Sequence, residues 1–325
     1  MTGTTARAGT GISGSVENPW LERRVLAYAH QGGAWERPSS TLHAIRAALA
    51  AGATGIELDV HATADGEIVV CHDATVDRTT DGCGAIASLT LDELRALDNG
   101  YWFVPGADAT PGRPDADYPF RGRAPQDREF GVATLREVLE AFPGVVLNLD
   151  IKQTAPAVEP YEAALARLLA EYGRRDDVIV ASFLDLATAR FAEAAPAIGT
   201  SAGMLAAGAF WRAVHDGSPP PPVRAVAFQV PETYGEATVV DERFVEAAHD
   251  AGIAVHVWTV NDEPAMRRLV DLGVDGIISD LPTTLSRVLG DLGVAWRPGG
   301  TAGSWWRVGG GDDPGGTVGV RAREP

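Results

Sequence analysis

The sequence predicts an α/β fold, a (β/α)8 TIM barrel with a small insertion after the second strand and its hairpin. From Val25 onward, short apolar runs alternate with longer amphipathic segments, a pattern typical of a parallel sheet covered by helices. Eight such units fit into residues 21–292, close to the length of about 250 residues that is usual for this barrel. We therefore expect one barrel domain over 21–292.

Nine apolar runs are candidate strands, and geometry removes one of them from the barrel. They span 25–29, 55–60, 68–72, 145–151, 178–182, 200–205, 225–230, 254–259 and 276–279. The second and third runs are separated by a short stretch that contains Asp65-Gly66, a hairpin signal. A parallel crossover needs about a dozen residues or more, so the third run is predicted to fold back antiparallel. Eight strands remain for the barrel.

Helical patterns fill most of the segments between these strands. The clearest ones cover 41–51, 161–172, 241–251 and 264–272. Ser40 or Thr41 is predicted to be the N-cap of the first helix.

The surplus length lies mainly in the insertion, at about 80–131. It begins with a helix-like segment at 91–97, continues through aromatic residues at 101–103 and becomes rich in Pro, Asp and Arg. A long insertion beside a barrel mouth is typical of a lid or a substrate wall. A solvated loop is the alternative interpretation.

The two ends of the chain are expected to lie outside the barrel domain. Residues 1–20 are predicted to be a flexible N-terminal segment, and 293–325 a Gly-rich C-terminal tail. Trp305 and Trp306 in this tail are expected to dock either on the barrel or on a partner chain.

Composition excludes several classes of function. The formal charge is −17, and nucleic acid is not an expected partner because phosphate neutralisation requires a basic face. The same negative net charge disfavours binding to an anionic membrane, and no run approaches the ~18 apolar residues of a transmembrane helix.

Cys71 and Cys83 are too few for a disulfide framework. With no secretory signal, we expect a cytoplasmic protein that acts on a small molecule, in an oligomeric state left open.

Three carboxylates are predicted to converge at the carboxyl ends of the strands, where TIM barrels have their active sites. Glu57 and Asp59 are two residues apart on one strand and so point to one side, and Asp150 ends the next barrel strand. Buried carboxylates repel one another, and a hard divalent cation with oxygen ligands offsets that cost. Mg²⁺ or Ca²⁺ is therefore the predicted cofactor. Zinc is disfavoured because no His or Cys has a ligand-like spacing.

Two histidines and a lysine accompany these carboxylates. His30 ends the first strand, and His72 ends the hairpin strand and returns over the same barrel mouth. Histidines beside a metal suit general acid and general base catalysis near neutral pH. Lys152, the only lysine in the chain, supplies a positive charge for an anionic group, most simply a phosphate. The other histidines are predicted to be structural, and they are His43, His61, His215, His249 and His256.

Several motifs occur in a specific order along the chain. They are Ala29-His30-Gln31-Gly32-Gly33, Gly55-Ile56-Glu57-Leu58-Asp59-Val60, Val69-Val70-Cys71-His72-Asp73, Asp77-Arg78-Thr79-Thr80, Leu147-Asn148-Leu149-Asp150-Ile151-Lys152, Val257-Trp258-Thr259-Val260-Asn261 and Val274-Asp275-Gly276-Ile277-Ile278-Ser279-Asp280. In order and spacing they resemble the glycerophosphodiester phosphodiesterase family, whose fold is a PLC-like phosphodiesterase barrel. The resemblance covers about 25–292.

The resemblance implies a barrel with one divalent metal that hydrolyses a glycerophosphodiester, such as glycerophosphocholine, to an alcohol and glycerol 3-phosphate. The implied roles are metal ligands for Glu57, Asp59 and Asp150, an acid/base pair for His30 and His72, and a phosphate contact for Lys152. Trp258 would border the alcohol, where a choline-like cation could lie on its face. A Trp packed in the barrel is the alternative.

Three positions depart from the family pattern. Gln31 replaces the usual Arg, Ser39-Ser40 replaces Glu-Asn, and Asp150 replaces a Glu that is one methylene longer. We expect Gln31 to contact the substrate, but an amide is a weaker phosphate ligand than the charged, bidentate Arg.

Two alternative functions remain open from the sequence. A lysophospholipase D or a sphingomyelinase D-like enzyme has a similar layout but needs an apolar groove for an acyl chain. The candidates for this groove are Trp35, Tyr101, Trp102 and Phe103. The second alternative is a catalytically weak protein that binds a phosphate ligand, and the absence of an Arg at position 31 is its motive.

Overall fold

The computed structural model describes residues 18–107 and 109–296. Its strands are β1 (Leu26–His30), β2 (Gly55–Ala62), β3 (Ile68–Val70), β4 (Val146–Ile151), β5 (Val178–Ala181), β6 (Gly199–Thr200), β7 (Ala227–Pro231), β8 (Thr233–Tyr234), β9 (Ala237–Thr238), β10 (Ala254–Trp258) and β11 (Gly276–Ser279). Its α-helices are α1 (Pro19–Glu22), α2 (Leu42–Ala50), α3 (Leu91–Arg95), α4 (Leu135–Ala141), α5 (Glu162–Glu171), α6 (Asp185–Ala194), α7 (Met204–Asp216), α8 (Glu242–Asp250), α9 (Glu263–Leu272) and α10 (Pro282–Leu292).

Eight of the strands form a nearly closed parallel barrel. Their order is β6-β5-β4-β2-β1-β11-β10-β7, and a parallel bridge between Ser201 and Ala227 joins the two ends. β3 pairs antiparallel with β2, with Val60 opposite Val70, as the Asp-Gly turn predicts. The predicted TIM barrel with a folded-back hairpin strand is confirmed.

The amino-terminal end of the barrel interior is filled with apolar side chains. Leu26 and Tyr28, two residues apart on β1, point inward and pack with Ile179 and Ile278 from other strands. Trp20 of α1 joins this cluster and is only 3% exposed. Polar strand-end residues therefore meet at the opposite, carboxyl end of the barrel.

The ordered domain extends beyond the predicted limits at both ends. Trp20 lies in the segment predicted to be flexible, yet it is buried in the barrel core. At the other end, the Val25 N–H donates to the Val294 carbonyl at 2.9 Å, and the Trp296 N–H donates to the Val25 carbonyl at 3.1 Å. The rest of both predicted terminal segments, including Trp305 and Trp306, lies outside the described residues.

The strand predicted at 200–205 is confirmed only at Thr200, apart from a bridge at Ser201, and is wrong beyond these residues. Only Gly199–Thr200 is a strand, and α7 begins at Met204. The Asp185 carboxylate accepts hydrogen bonds from the backbone N–H groups of Leu205 and Ala206, at 2.9 and 3.1 Å. These N–H groups have no partner within the helix, so the distant carboxylate stabilises a helix start there.

The predicted N-cap of α2 is confirmed as Thr41, because its Oγ1 accepts the Ala44 N–H at 3.1 Å. No helix in the described part of the chain is long and apolar enough to cross a membrane. Cys71 is buried, Cys83 is exposed, and both are free thiols.

The insertion packs largely on itself. The Arg121 guanidinium lies 4.2, 4.6 and 3.8 Å from the ring centroids of Tyr101, Trp102 and Tyr118, in the range of cation–π contacts. Phe103 is buried beside Phe120. These aromatic residues therefore form a small core around an arginine inside the insertion.

Candidate active site

One large cavity opens at the carboxyl ends of the strands and has a volume of about 440 Å³, within the range of small-molecule sites. All but one of the predicted site residues line it. Those on its wall are His30, Glu57, Asp59, His72, Asp150, Lys152 and Trp258. Gln31 is not among the lining residues.

The register of three adjacent strands brings these side chains together. His30 of β1 is opposite Glu57 of β2, and Glu57 and Asp59 are opposite Asn148 and Asp150 of β4. Because side chains two apart on a strand share a face, both pairs project into the barrel mouth. The Glu-x-Asp spacing and the position of Asp150 at the end of the next barrel strand thus predicted the convergence of the three carboxylates.

The Lys152 ammonium lies between two of the carboxylates, 3.1 Å from Asp59 Oδ1 and 3.3 Å from Asp150 Oδ2. Burial opposes the charge of Lys152, but these carboxylates outweigh it and raise the pKa of the ammonium above its ordinary value. Burial raises the pKa of Glu57 to about 8, and the Asp59 carboxylate adds to this effect. Burial also raises the pKa of Asp150 to about 6, although Lys152 opposes that rise. The site therefore favours further positive charge.

The residues present fit a hard divalent cation. Asp59 Oδ2 and Asp150 Oδ1 are buried and accept no hydrogen bond, which is costly for a carboxylate. With Glu57, they offer oxygen donors only, the ligand type that Mg²⁺ and Ca²⁺ prefer. Within 18–107 and 109–296, the side chains as they lie form no group of three or more His, Cys, Asp or Glu that could hold a metal ion.

His30 is held by residues from the ends of two neighbouring strands. Its Nδ1–H donates to Asp280 Oδ1 at 2.6 Å, and Asn261 Nδ2 donates to Asp280 Oδ2 at 2.7 Å. Burial opposes the imidazolium, but the hydrogen bond to Asp280 and the nearby Glu57 outweigh it and raise the pKa of His30 to about 9. His30 Nε2 lies 3.8 Å from Glu57 Oε2.

His72 is held by a second carboxylate. Its Nδ1–H donates to Asp73 Oδ1 at 2.7 Å, and Arg78 Nε donates to Asp73 Oδ2 at 2.7 Å. The hydrogen bond from His72, together with Arg78, holds the pKa of Asp73 well below its usual range. Nδ1 is engaged with a carboxylate in both histidines, so Nε2 is the nitrogen that each could present to a ligand.

Gln31 contacts the first histidine instead of the cavity. Its φ of 51° is in the left-handed region, and its backbone N–H donates to Glu57 Oε2 at 3.1 Å. Its side-chain amide nitrogen lies 3.3 Å from His30 Nε2, and the residue is only 5% exposed. Gln31 therefore has no place on the cavity wall, and its direct contact with a substrate stays a prediction.

The apolar wall of the cavity is not where the sequence predicted it. Neither Trp35 nor any described residue of the insertion lines this cavity. The prediction that the insertion forms a substrate wall is therefore wrong. The predicted apolar groove is wrong for the same reason, and its residues were Trp35, Tyr101, Trp102 and Phe103. The apolar lining comes from the opposite side of the barrel and includes Phe183, Met204, Trp211, Val230, Tyr234, Val239 and Phe244. Trp258 belongs to this side and meets the Phe183 ring edge-on at 5.4 Å.

None of the five histidines predicted to be structural lines the cavity. Their contacts are His43 stacked on Phe130, His61 Nε2 at 3.4 Å from the His72 carbonyl oxygen, His215 at 3.0 Å from Asp241, His249 at 2.8 Å from Asp275, and His256 buried between Tyr28 and Trp20. The prediction that they serve the fold agrees with these positions.

Sequence reasoning missed the residues that orient the histidines and one polar residue of the wall. Asp73 follows His72 directly, so a signal was present, whereas Asp280 is distant from His30 along the chain. Asn148 lines the cavity, and its buried Oδ1 accepts no hydrogen bond. Its position two residues before Asp150 on β4 could have identified it.

Comparison with known proteins gives a consistent result along most of the chain. The sequence profile of the glycerophosphoryl diester phosphodiesterase family matches residues 30–284. A glycerophosphodiester phosphodiesterase of Caldanaerobacter subterraneus subsp. tengcongensis is 31% identical over 264 residues, covering 81% of this chain and 96% of that protein. A glycerophosphodiester phosphodiesterase of Bacillus subtilis is 29% identical, covering 82% of this chain and 86% of that protein.

Solved structures share the fold. A glycerophosphodiester phosphodiesterase from Agrobacterium tumefaciens superposes with a TM-score of 0.61 at 25% identity, covering 81% of this chain and 99% of that one. An Oleispira antarctica phosphodiesterase, solved in complex with the product sn-glycerol-3-phosphate, superposes with a TM-score of 0.65 at 24% identity. The match covers 83% of this chain and 99% of that one. With its barrel, its strand-end motifs and a profile match over most of its length, this chain belongs to the glycerophosphoryl diester phosphodiesterase family.

Proposed function

We propose that the chain hydrolyses a glycerophosphodiester to an alcohol and glycerol 3-phosphate, with a divalent cation and two histidines as acid and base. One observation carries the proposal. His30 and His72, each with Nδ1 bound to a carboxylate, line the same cavity as three carboxylates and the only lysine. The family membership and the curated relatives named as glycerophosphodiester phosphodiesterases support the reaction class.

The chain's own residues suggest how the work is divided. Glu57, Asp59 and Asp150 would hold the cation, which when bound polarises a phosphoryl oxygen. Lys152 would pair with another phosphate oxygen and offset its charge. One histidine would remove a proton from the attacking hydroxyl, while the other donates a proton to the leaving alkoxide.

The test measures release of glycerol 3-phosphate from glycerophosphocholine by protein treated with EDTA and then supplied with Mg²⁺, Ca²⁺ or Mn²⁺. Activity should disappear with EDTA and return with at least one cation. His30→Ala and His72→Ala should each lower kcat about 10²- to 10⁴-fold, because each removes one proton-transfer group. His249→Ala, which changes a histidine that contacts Asp275 outside the cavity, is the matched control. Wild-type turnover in both cavity variants would refute the proposal.

A binding protein without catalysis is the second candidate, and the Gln31 substitution is the observation that favours it. The side chain at position 31 is neutral and buried against His30, so it adds no cation for a phosphate. Tight binding of glycerol 3-phosphate by the cation-loaded protein, with no turnover of any phosphodiester tested, would support this candidate over the enzyme.

A further inference from the structure

Strand β4 presents three different side chains along its inner face. Val146 packs in the apolar interior of the barrel, and Asp150 lines the cavity at the mouth. Asn148 lies between them, and because side chains two apart on a strand share a face, it points into the barrel as well. Asn148 is opposite Glu57 of β2 in the sheet register. It therefore occupies the floor of the cavity, between the apolar interior and the charged residues of the mouth.

The amide of Asn148 is buried, and its oxygen has no donor. The residue is only 2% exposed, and Oδ1 accepts no hydrogen bond from any residue that the structure describes. A buried amide oxygen without a partner destabilises the fold. Because Asn148 lines the cavity, its partner can be something that the cavity binds.

Two carboxylate oxygens beside Asn148 are in the same condition. Lys152 pairs with Oδ1 of Asp59 and Oδ2 of Asp150, and the other oxygen of each aspartate is buried without a donor. Asp59 and Asp150 are opposite each other on β2 and β4, and Asn148 is two residues before Asp150. Three acceptor oxygens without donors thus lie at neighbouring positions of two paired strands.

The number and charge of these oxygens restrict what can satisfy them. A water molecule has two hydrogens and a hydroxyl group has one, so neither can serve three acceptors at once. An anion would be repelled by the two carboxylates. A hard cation attracts all three oxygens, and oxygen-only ligands are the type that it prefers.

The ligand set also distinguishes between hard cations. Ca²⁺ takes six to eight oxygen ligands in a flexible geometry, and amide carbonyls are common among them. Mg²⁺ requires a near-octahedral geometry, keeps several waters and is usually held by one or two carboxylates. With Glu57 opposite Asn148, two paired strands offer four protein side chains with oxygen donors. Such a set suits Ca²⁺ better than Mg²⁺.

We propose that Asn148 is a fourth ligand residue for the cation held by Glu57, Asp59 and Asp150, and that this set selects Ca²⁺ over Mg²⁺. The inference rests on the cation of the proposed function and specifies its ligands and its identity. The neutral amide adds an oxygen without adding a negative charge to a site that already has three carboxylates.

Two substitutions at Asn148 separate the oxygen from the volume of the side chain. Asn148→Leu has a similar size and no oxygen, whereas Asn148→Asp keeps an oxygen at the same distance from the backbone. Gln229 of β7 carries another amide on the cavity wall, and β5 and β6 separate it from β4 in the barrel. Gln229→Met, which removes that amide at nearly constant size, is the matched control.

The experiment is calorimetric titration of cation-free protein with CaCl₂ and with MgCl₂. The wild type should bind Ca²⁺ about tenfold or more tightly than Mg²⁺. Asn148→Leu should weaken Ca²⁺ binding about 10- to 100-fold, the loss typical when a group around a metal is removed, and should weaken Mg²⁺ binding less. Asn148→Asp should restore Ca²⁺ binding, and Gln229→Met should leave it unchanged. Unchanged Ca²⁺ affinity in folded Asn148→Leu, or tighter binding of Mg²⁺ by the wild type, would overturn the inference.

Urea unfolding separates a ligand role for Asn148 from a structural one. In EDTA, Asn148→Leu should unfold at the same urea concentration as the wild type or at a higher one, because it loses a buried oxygen that has no partner. Saturating Ca²⁺ stabilises the state that binds it, so it should raise the midpoint of the wild type more than that of the variant. A lower midpoint for the variant in EDTA, with an equal shift on adding Ca²⁺, would mean that Asn148 serves only the fold.

Because cation binding is measured without substrate, the inference and the proposed function can fail separately. If Asn148→Leu weakens Ca²⁺ binding but the wild type cleaves no phosphodiester with any cation, the inference stands and the proposed function fails. If the wild type cleaves glycerophosphocholine and Asn148→Leu keeps the wild-type affinity for Ca²⁺, the inference fails and the proposed function stands.

Discussion

Lys152 occupies a place that suits a compact cation. Its ammonium contacts Asp59 and Asp150 at once, and its side chain is only 19% exposed. A guanidinium is planar and wider, with donors arranged as a rigid fork. An arginine at this position would have to displace the carboxylates or project away from them. This requirement explains a lysine in a chain whose other basic residues are all Arg.

Lys152→Arg should therefore lower kcat/KM for glycerophosphocholine about 10²-fold, the order of loss expected from a misplacement of about 1 Å. Steady-state kinetics with saturating Mg²⁺ or Ca²⁺ measure the effect. Arg175→Lys, the reverse exchange at a surface residue that is 67% exposed, should leave the rate unchanged. Near-normal turnover of Lys152→Arg would mean that the lysine is not required as such.

Single residues were predictable where a local rule fixes the direction of a side chain. Glu57 and Asp59 were found because strand residues alternate and strand ends form barrel active sites. The orientation of Gln31 was not predictable, because its left-handed backbone turns the side chain toward His30, which no spacing rule indicates. Asp280 and Asn261 were missed, because their role depends on contacts between residues far apart along the chain.

At the scale of elements, three neighbouring strand ends orient the first histidine. His30 ends β1, Asp280 follows β11 and Asn261 follows β10, and these strands are adjacent in the barrel. Asp280 accepts from His30, and Asn261 in turn fixes Asp280, so His30 is held in one orientation with Nε2 beside Gln31 and Glu57. A carboxylate that accepts from Nδ1 in this way orients the imidazole for the acid/base role proposed for His30.

Asp280→Asn should lower kcat about 10- to 100-fold, because His30 loses its orientation. KM should change less, because the contact of Lys152 with the substrate phosphate remains. Kinetics with glycerophosphocholine separate the two parameters. Asp241→Asn is the matched control, because it alters a comparable histidine–carboxylate contact with His215, at 3.0 Å and outside the cavity. If both variants lose equal activity, Asp280 has only a structural role.

Elements were predictable from periodicity except where a distant group decides the structure. The apolar run at 200–205 is compatible with strand or helix, and the Asp185 carboxylate from the preceding helix selects the helix at Met204. The insertion was predicted to be a lid or a substrate wall because it lies next to the barrel mouth. Its aromatic residues pack instead around Arg121, a contact that sequence spacing does not reveal.

At the scale of the whole molecule, the barrel followed from the number and alternation of its apolar runs, but the contents of its interior did not. His256 on β10 is fully buried, with Tyr28 and Trp20 around it, and its Nε2 has no hydrogen-bond partner. Alternation along β10 places this side chain inside the barrel, where a hydrophobic residue would be the simpler choice. The barrel core thus contains a titratable group that must stay neutral.

This buried imidazole should make folding stability fall as the pH is lowered. Burial lowers the pKa of His256 to about 4, from 6.5 in the unfolded chain, so below pH 6.5 the unfolded state binds the proton more tightly. The contribution of His256 to the free energy of unfolding is fully present above pH 6.5 and is lost as the pH falls toward 4. At pH 5 the free energy of unfolding is lower by roughly 2 kcal/mol because of this group.

Urea unfolding of the wild type and of His256→Asn at pH 7 and pH 5 tests the effect. The difference between the two pH values should be about 2 kcal/mol smaller in the variant, and the cost of the substitution itself cancels in that comparison. An equal pH dependence in both proteins would show that the interior histidine does not set the acid stability of the barrel.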